Sequence, residues 1–525
     1  MPLQFLPLAA PFALLLAAAI GFFSPVSRHQ RSARLAEALI IVAVVSAAFS
    51  MLWLALHGPD DSGTIGLHGV EVSVRLDAVS ATMLLLVAFI GWVVVRYAAT
   101  YLDGEPRAGL FTGWLCTTLA SVMLLVTSDN LVQLVLAWII TSLALHRLLL
   151  FYPERVGAQR AAAKKFVTAR VGDVALIGAA VLLAHAYGTT QISAILNMAH
   201  AGSGGGLAIA AAGLLAVAAL LKSAQFPTHG WLTEVMETPT PVSALLHAGV
   251  INAGGFLLIR FADVMLLAPG VLAVLVTIGG FTALFGGLVM LTQPAVKTSL
   301  AWSTVAQMGF MILECGLALF PLALLHIVAH SLYKAHSFLA SGGAVETIAA
   351  QRRPGAVAIP SAGAVGRAFV VALAIYGLVG VGFGLVSGFG FGHKSPQAIA
   401  LGAILIFGVA YLLAQGLADD APRALTRRTM VFAVATSISY FALQALAVEL
   451  TSGVLPAAPP PGPLEWALIV LAVLSFGAVA VVQAIFPLWA YHPAAAGLRV
   501  HLSNGFYANA AFDRLLHGWR MRRAY

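Results

Sequence analysis

Residues 207–227 read LAIAAAGLLAVAALLKSAQFP. An uncharged apolar run ends at Lys222, and Pro227 then stops any helix the run forms. Such a run is too apolar for the surface of a soluble protein. About 20 apolar residues make a helix that crosses the hydrocarbon core. The chain offers about fifteen runs of this kind, near 3–23, 35–57, 78–98, 111–127, 130–151, 166–187, 205–225, 240–263, 270–291, 295–315, 319–343, 364–390, 397–416, 429–450 and 464–488. Composition agrees. Of 525 residues, 60% are hydrophobic and 9% charged, where a soluble domain carries roughly 25% charged residues. Mean hydropathy is +0.95. This excludes a soluble enzyme, a disordered chain and a disulfide scaffold. The expected fold class is an all-α polytopic membrane protein with about fifteen transmembrane helices.

Cys116 and Cys315 stand apart in apolar stretches, so neither a disulfide nor a metal site is expected. The net charge of +8 reads as topology rather than nucleic-acid binding, because basic residues sit in short connections. The first connection carries Arg28, Arg31 and Arg34, the fifth Arg155, Arg160, Lys164 and Lys165, the eleventh Arg352 and Arg353, and the thirteenth Arg423, Arg427 and Arg428. The tail carries Arg514, Arg520, Arg522 and Arg523. The second connection is acidic (Asp60, Asp61), the sixth is uncharged, and the Pro-rich fourteenth has no basic residue. The positive-inside rule places the N-terminus outside and the C-terminus in the cytoplasm of a cell inner membrane. An odd number of crossings satisfies both ends. The first run reads as a retained helix, because no basic segment precedes it and no cleavage pattern follows. The tail docks either a cytoplasmic partner or anionic lipid. No soluble domain is expected, so soluble catalytic work belongs to a partner.

Ionisable residues inside membrane helices are costly and mark function by default. They gather in the middle of this chain. Lys222 precedes Pro227, and Pro239-Thr240-Pro241 restarts the helix that carries His247. His326, His330 and Lys334 recur every four residues and so share one helix face. Histidine exchanges protons near neutral pH, and a buried lysine also does so. The triplet therefore reads as a proton relay rather than a metal site. Lys394 lies in Lys394-Ser395-Pro396-Gln397, which repeats the pattern of lysine, serine, proline and glutamine around Lys222. Two interrupted helices in corresponding positions point to inverted repeats around a transport path. Lys297 opens a hydroxyl-rich helix, and Arg170 and Asp173 are spaced to neutralise each other.

Three stretches together carry a family resemblance: Lys222 to Pro227, Glu237 to Ala248, and Arg170-Val171-Gly172-Asp173. With Lys297 to Gln307 and His326 to Lys334, they resemble the proton-pumping membrane subunits of respiratory complex I and their relatives in multisubunit cation/proton antiporters. The resemblance spans roughly residues 77–400. It implies two inverted five-helix repeats, each with a broken helix, at 111–263 and 264–416. N-terminal helices at 1–110, C-terminal helices at 417–490 and a basic tail at 491–525 flank them. It also implies a proton or cation path through Lys222, His247, His326, His330, Lys334 and Lys394. The family carries a glutamate after the tryptophan of the fifth helix, where this chain has Trp138-Ile139. Asp173 or Glu237 then substitutes as partner of Lys222, or a partner protein does, with Lys297 a further charge in the path.

The missing glutamate and the short ending most resemble the membrane subunits of DAB-type inorganic-carbon accumulation complexes. That resemblance implies a large soluble DabA-type partner with a carbonic-anhydrase-like zinc site. The membrane subunit would couple downhill flow of H+ or Na+ to CO2 hydration there. The zinc belongs to the partner, and no cofactor is expected in this chain. The rivals are a subunit of a Mrp-type antiporter or of a complex I-like pump, and a structural anchor. A membrane-embedded enzyme is the weakest reading, since no nucleophile or cofactor motif appears.

Overall fold

The computed structural model describes residues 3–24, 29–61, 65–67, 70–343, 360–388, 390–418, 421–485, 489 and 492–516. Helices dominate. The first seven are α1 (Ala9–Phe23), α2 (His29–His57), α3 (Ala78–Tyr101), α4 (Ala108–Thr127), α5 (Leu131–Leu149), α6 (Val156–Tyr187) and the short α7 (Ile192–His200). The middle of the chain forms α8 (Gly205–Lys222), α9 (Gly230–Glu234), α10 (Thr240–Ala248), α11 (Ala253–Arg260), α12 (Ala262–Leu266), α13 (Pro269–Met290), α14 (Val296–Gly316) and α15 (Phe320–Ala340). Then follow α16 (Ala362–Ser387), α17 (Pro396–Gly416), α18 (Arg423–Leu450), α19 (Pro463–Ala484), α20 (Ala496–Ser503) and α21 (Ala508–Leu516). The only strands among the described residues are two short antiparallel ribbons between α2 and α3: Asp60–Asp61 with Arg75–Leu76, and Ile65–Leu67 with Val70–Val72.

Helix starts follow capping chemistry. Asp77 accepts from Ser80 N at 2.8 Å while Ser80 Oγ accepts from Asp77 N at 2.8 Å, a capping box that opens α3. Asn130 caps α5, and Ser395 caps α17 with Pro396 in its first turn. Small residues set the tightest packing: a Cβ added at Gly279, Gly286, Gly309 or Gly316 would come within 3 Å of the backbone of the facing helix, so α13 and α14 touch main chain to main chain.

Among the described residues, thirteen helices are long and apolar enough to cross a membrane. The chain is a multi-pass membrane protein. The expected count of about fifteen differs by α14 and α15, each 21 residues long. Lys297, Glu314, three histidines and Lys334 dilute their apolar character.

Several expectations need correction. α6 begins at Val156 rather than near 166, so Arg160, Lys164 and Lys165 lie in a helix, and both lysines are buried. The span expected at 240–263 is interrupted: α10 ends at Ala248, and a 3-10 turn over Val250–Asn252 separates it from α11. Arg31 and Arg34 belong to α2, and Arg423, Arg427 and Arg428 to α18. Arg28, Arg352, Arg353, Arg520, Arg522 and Arg523 lie outside the described residues.

The connections sort onto two faces. On one, Val74 pairs with Ser128 and Asn130 with Gln191, Ser193 N donates to Asp129 Oδ1 at 2.8 Å, and His200 Nδ1 lies 2.9 Å from Asp263 Oδ1. On the other, Arg155 Nη1 donates to the Glu237 carbonyl at 2.6 Å and Gln293 Nε2 to the Ser503 carbonyl at 3.2 Å. The first face gathers even-numbered connections, and the second gathers odd-numbered ones with the tail.

One buried ion cluster ties the first face to the bundle. Asp77 lies 2.6 Å from Arg260 Nη1 and 2.6 Å from Arg75 Nε. Burial alone would raise the pKa of Asp77, but the Arg260 and Arg75 guanidiniums hold it well below the usual carboxylate range. A carboxylate depressed in the folded state contributes stability above its unfolded pKa and loses it only as pH falls through the folded value. This contribution should therefore stay constant from about pH 5 upward. Asp77→Asn strands two arginines and should cost about 3–5 kcal/mol, read as a lower melting temperature of the detergent-purified protein.

Candidate functional site

The sequence-derived residues fall into three groups. The first surrounds Lys222 at the end of α8, where the break at Ser223–Pro227 begins. The Lys222 ammonium sits 4.3 Å from the centre of the Trp138 ring. Trp138 Nε1 donates to Asp173 Oδ1 at 3.1 Å, and Asp173 Oδ2 lies 2.6 Å from Arg170 Nη2. The charged groups that act on Lys222 include Asp173, Arg170 and Lys165. Trp138 thus joins the lysine and the acid through one indole, with its face to the cation and its N–H to the carboxylate. Glu237 is elsewhere: its carboxylate lies over Gly157 at the start of α6, about 24 Å along that helix from Asp173.

The second group joins α10, α14 and α15. His247 Nδ1 lies 3.0 Å from Thr304 Oγ1, and its ring stacks on Phe338 with centroids 4.3 Å apart. His330 Nε2 lies 3.2 Å from the His247 carbonyl oxygen, two residues before the interruption at Gly249. His326 and His330 have ring centroids 6.0 Å apart. Lys334 is fully buried, and its Nζ donates to the Leu300 carbonyl at 3.0 Å. Among the described residues no carboxylate pairs with it. Lys297 stands apart, donating to Thr240 Oγ1 at 3.2 Å and tying the starts of α14 and α10 together.

The third group is Lys394, in the break between α16 and α17. Its Nζ donates to Gln444 Oε1 at 2.6 Å and lies 3.9 Å from the Phe441 ring centre. A cavity of about 540 Å³ opens beside it, lined by Ser395, Gln444, Thr451 and Ser452 among others. Lys222, Lys334 and Lys394 are therefore not in mutual contact.

Sequence reading missed three participants. Glu314, buried on α14, places Oε2 2.8 Å from His326 Nδ1. An ionisable residue inside an apolar run is the signal that marks Lys334, and it applies here too. His229 is fully buried among Phe226, Phe285 and Trp302, and neither ring nitrogen has a hydrogen-bond partner among the described residues. Lys164 meets Glu234 and Asp513, each at 2.5 Å. In the sequence it stands among Arg155, Arg160 and Lys165 and reads as loop charge.

Comparison with known proteins fits this geometry. Residues 128–354 match the family described as NADH:quinone oxidoreductase/Mrp antiporter, TM, and residues 64–112 match NADH-Ubiquinone oxidoreductase (complex I), chain 5 N-terminus. Over 505 residues the chain is 36% identical to a protein of Halothiobacillus neapolitanus named probable inorganic carbon transporter subunit DabB2, covering 93% of this chain and 88% of that protein. The chain belongs to the DabB family. A DabB of Hydrogenovibrio crunogenus is 48% identical over 308 residues, 57% of this chain and 59% of that one. NADH-quinone oxidoreductase subunit L of Escherichia coli is 35% identical over 285 residues, 54% of this chain and 46% of that one. The Mrp complex from Dietzia sp. DQ12-45-1b shares the fold, with a TM-score of 0.61 at 24% identity, covering 98% of this chain and 60% of that one. In this DabB family member the position after Trp138 is Ile139.

Of the two acids expected beside Lys222, Asp173 shares the Trp138 indole with it and Glu237 lies elsewhere. Asp173→Asn should lower cation flux into proteoliposomes at least about tenfold, roughly 1.4 kcal/mol in barrier. Glu237→Gln should leave the flux within a factor of about two.

Proposed function

We propose that the chain is the cation-conducting, most directly proton-conducting, membrane subunit of an energy-coupled inorganic-carbon accumulation complex. The observation that carries the reading is Lys334, a fully buried amine bonded to a backbone carbonyl. A permanently charged ammonium in such a place would be costly. An amine that gains and loses a proton as the path fills and empties has a reason to be there. Lysine and histidine nitrogens carry protons, whereas hard cations such as Na+ seek oxygen ligands.

The first half, 111–263, holds an interrupted span with Lys222 at the break, while in the second, 264–416, Lys394 stands in the connection between two full-length spans, α16 and α17. The cavity beside Lys394 borders Thr451, Ser452 and Pro456 on the even-numbered face. The break after Lys222 leads to Glu234 and Asp513 on the odd-numbered face. Half-paths opening to opposite sides and joined through His247, His330 and Lys334 make a transmembrane route. With basic connections facing the cytoplasm, the odd-numbered face is internal and both the tail and the Lys222 half-path open there.

The carbon-linked part of the reading rests on relatives named inorganic carbon transporter subunits. The proposed partner is a large soluble zinc protein of the DabA type that hydrates CO2 on the cytoplasmic face. Proton flow through this subunit would make that hydration effectively one-way.

Two measurements test the reading. Lys222→Ala and Lys334→Ala should each abolish inorganic-carbon uptake in cells that depend on the complex, with the protein still present in the membrane; unchanged uptake in both would remove the proposed path. Affinity purification from the native membrane should bring down a large soluble protein with stoichiometric zinc. Recovery of small antiporter or quinone-enzyme subunits instead would assign the chain to the rival assembly.

A further inference from the structure

α6 carries two adjacent lysines whose surroundings differ. Lys164 Nζ lies 2.5 Å from Glu234 and 2.5 Å from Asp513. Two carboxylates pair with it. Lys165 turns the other way, toward α5, and donates to the Ser142 carbonyl at 2.6 Å and to Ser142 Oγ at 2.9 Å. The residue is 5% exposed. Among the described residues no carboxylate lies within ion-pair distance of it. Its acceptors are neutral, so nothing locks the proton on this amine.

Its place in the helix pair gives the amine a role. On α5, Trp138, Ser142 and His146 recur every four residues and form one stripe. α6 runs past this stripe in the opposite direction. Trp138 meets Asp173, Ser142 meets Lys165, and the His146 ring lies 5.2 Å from the Phe166 ring. Lys165 is thus the rung next to the one that holds Asp173 and Lys222, on the side toward the start of α6. The charged groups whose fields reach Lys165 are Lys222, Arg170 and Asp173. Its own field reaches His146, whose Nδ1 has no hydrogen-bond partner among the described residues. Lys164, the adjacent residue, is committed to its two acids.

Ile139 stands on α5 where the resembling family carries glutamate, and Ser142 is three residues further on, a neighbour on the helix surface. Lys165 therefore delivers a titratable group to the patch from which the acid is missing. We infer that Lys165 is a second proton-carrying site of the first half-path, standing in for that acid and exchanging a proton with Lys222. The inference rests on the conducting role proposed above. A proton arriving from the odd-numbered face adds to the neutral Lys165 amine. The ammonium then releases it, through the Ser142 hydroxyl or water, to the Lys222 amine once Lys222 has passed its own proton inward. The net transfer is one proton: the relay oxygen takes the proton of the Lys165 ammonium as it gives its own to the Lys222 amine, so one O–H bond breaks as another forms. Repulsion between two like charges in a low-dielectric interior disfavours the state with both amines charged, so filling one site drives the other to empty.

The test uses the whole complex in proteoliposomes and reads proton flux over a range of pH. Lys165→Arg keeps the charge and the donors to Ser142, but a guanidinium does not release its proton. It should accumulate normally and lose at least about tenfold in flux. Lys165→His keeps a titratable nitrogen and should recover part of the flux, with its optimum moved to lower pH. Wild-type flux in Lys165→Arg would show Lys165 to be a clamp on α5 and overturn the inference, as would Lys165→His performing no better than arginine. Lys222→Ala is measured alongside. Flux that survives it would sink the conducting role itself, whereas flux lost there and kept in Lys165→Arg would sink only the role of Lys165.

Discussion

Hydrocarbon offers no hydrogen bonds, and this chain places several ionisable side chains within its helix bundle. Each must therefore find its partner inside the bundle. The partners are of three kinds. Asp77, Lys164 and Arg170 meet opposite charges. Lys222 and Lys394 lie against aromatic faces. Lys165 and Lys334 donate to main-chain carbonyls. The kinds of partner differ in strength. A full counter-charge holds an ion more firmly than an aromatic face or a single carbonyl does.

The breaks in the helices follow from the same constraint. Unwound backbone within a bundle exposes carbonyls and N–H groups that need partners, and those groups can serve mobile charge. The break after Lys222 places a lysine beside such backbone, and Lys394 stands in the connection that precedes Pro396. The interruption at Gly249 does the same for His247, whose carbonyl oxygen lies close to His330 Nε2. Main-chain contact between α13 and α14, permitted by four glycines, holds α14 firmly while its polar side chains reach α10 and α15.

Much of this was legible in the sequence because the signals were local. Apolar runs set the spans, Pro227 and Pro396 marked two breaks, and four-residue spacing put His326, His330 and Lys334 on one face. What escaped was either non-local or masked by a rule. The partnership of Trp138 with Asp173 and Lys222 joins three helices, and no spacing announces it. The break at Gly249 has no proline; it depends on packing, with Asn252 Nδ2 donating to Ser331 Oγ at 2.8 Å across to α15. Lys164 and Lys165 were hidden because a basic cluster beside an apolar run reads as loop, and only the early start of α6 brings them inside. Glu314 was overlooked beside the more conspicuous histidines.

The contact between Lys164 and Asp513 also bears on biogenesis. Asp513 follows Lys164 by 349 positions (513 minus 164), so at about 5–20 residues per second the ribosome supplies it on the order of 20–70 s later. During that interval α6 is already made, and its lysine has at most Glu234 for company. Insertion of the early helices thus runs ahead of their electrostatic completion, and α21 acts as a clasp that closes on the nascent bundle late in synthesis.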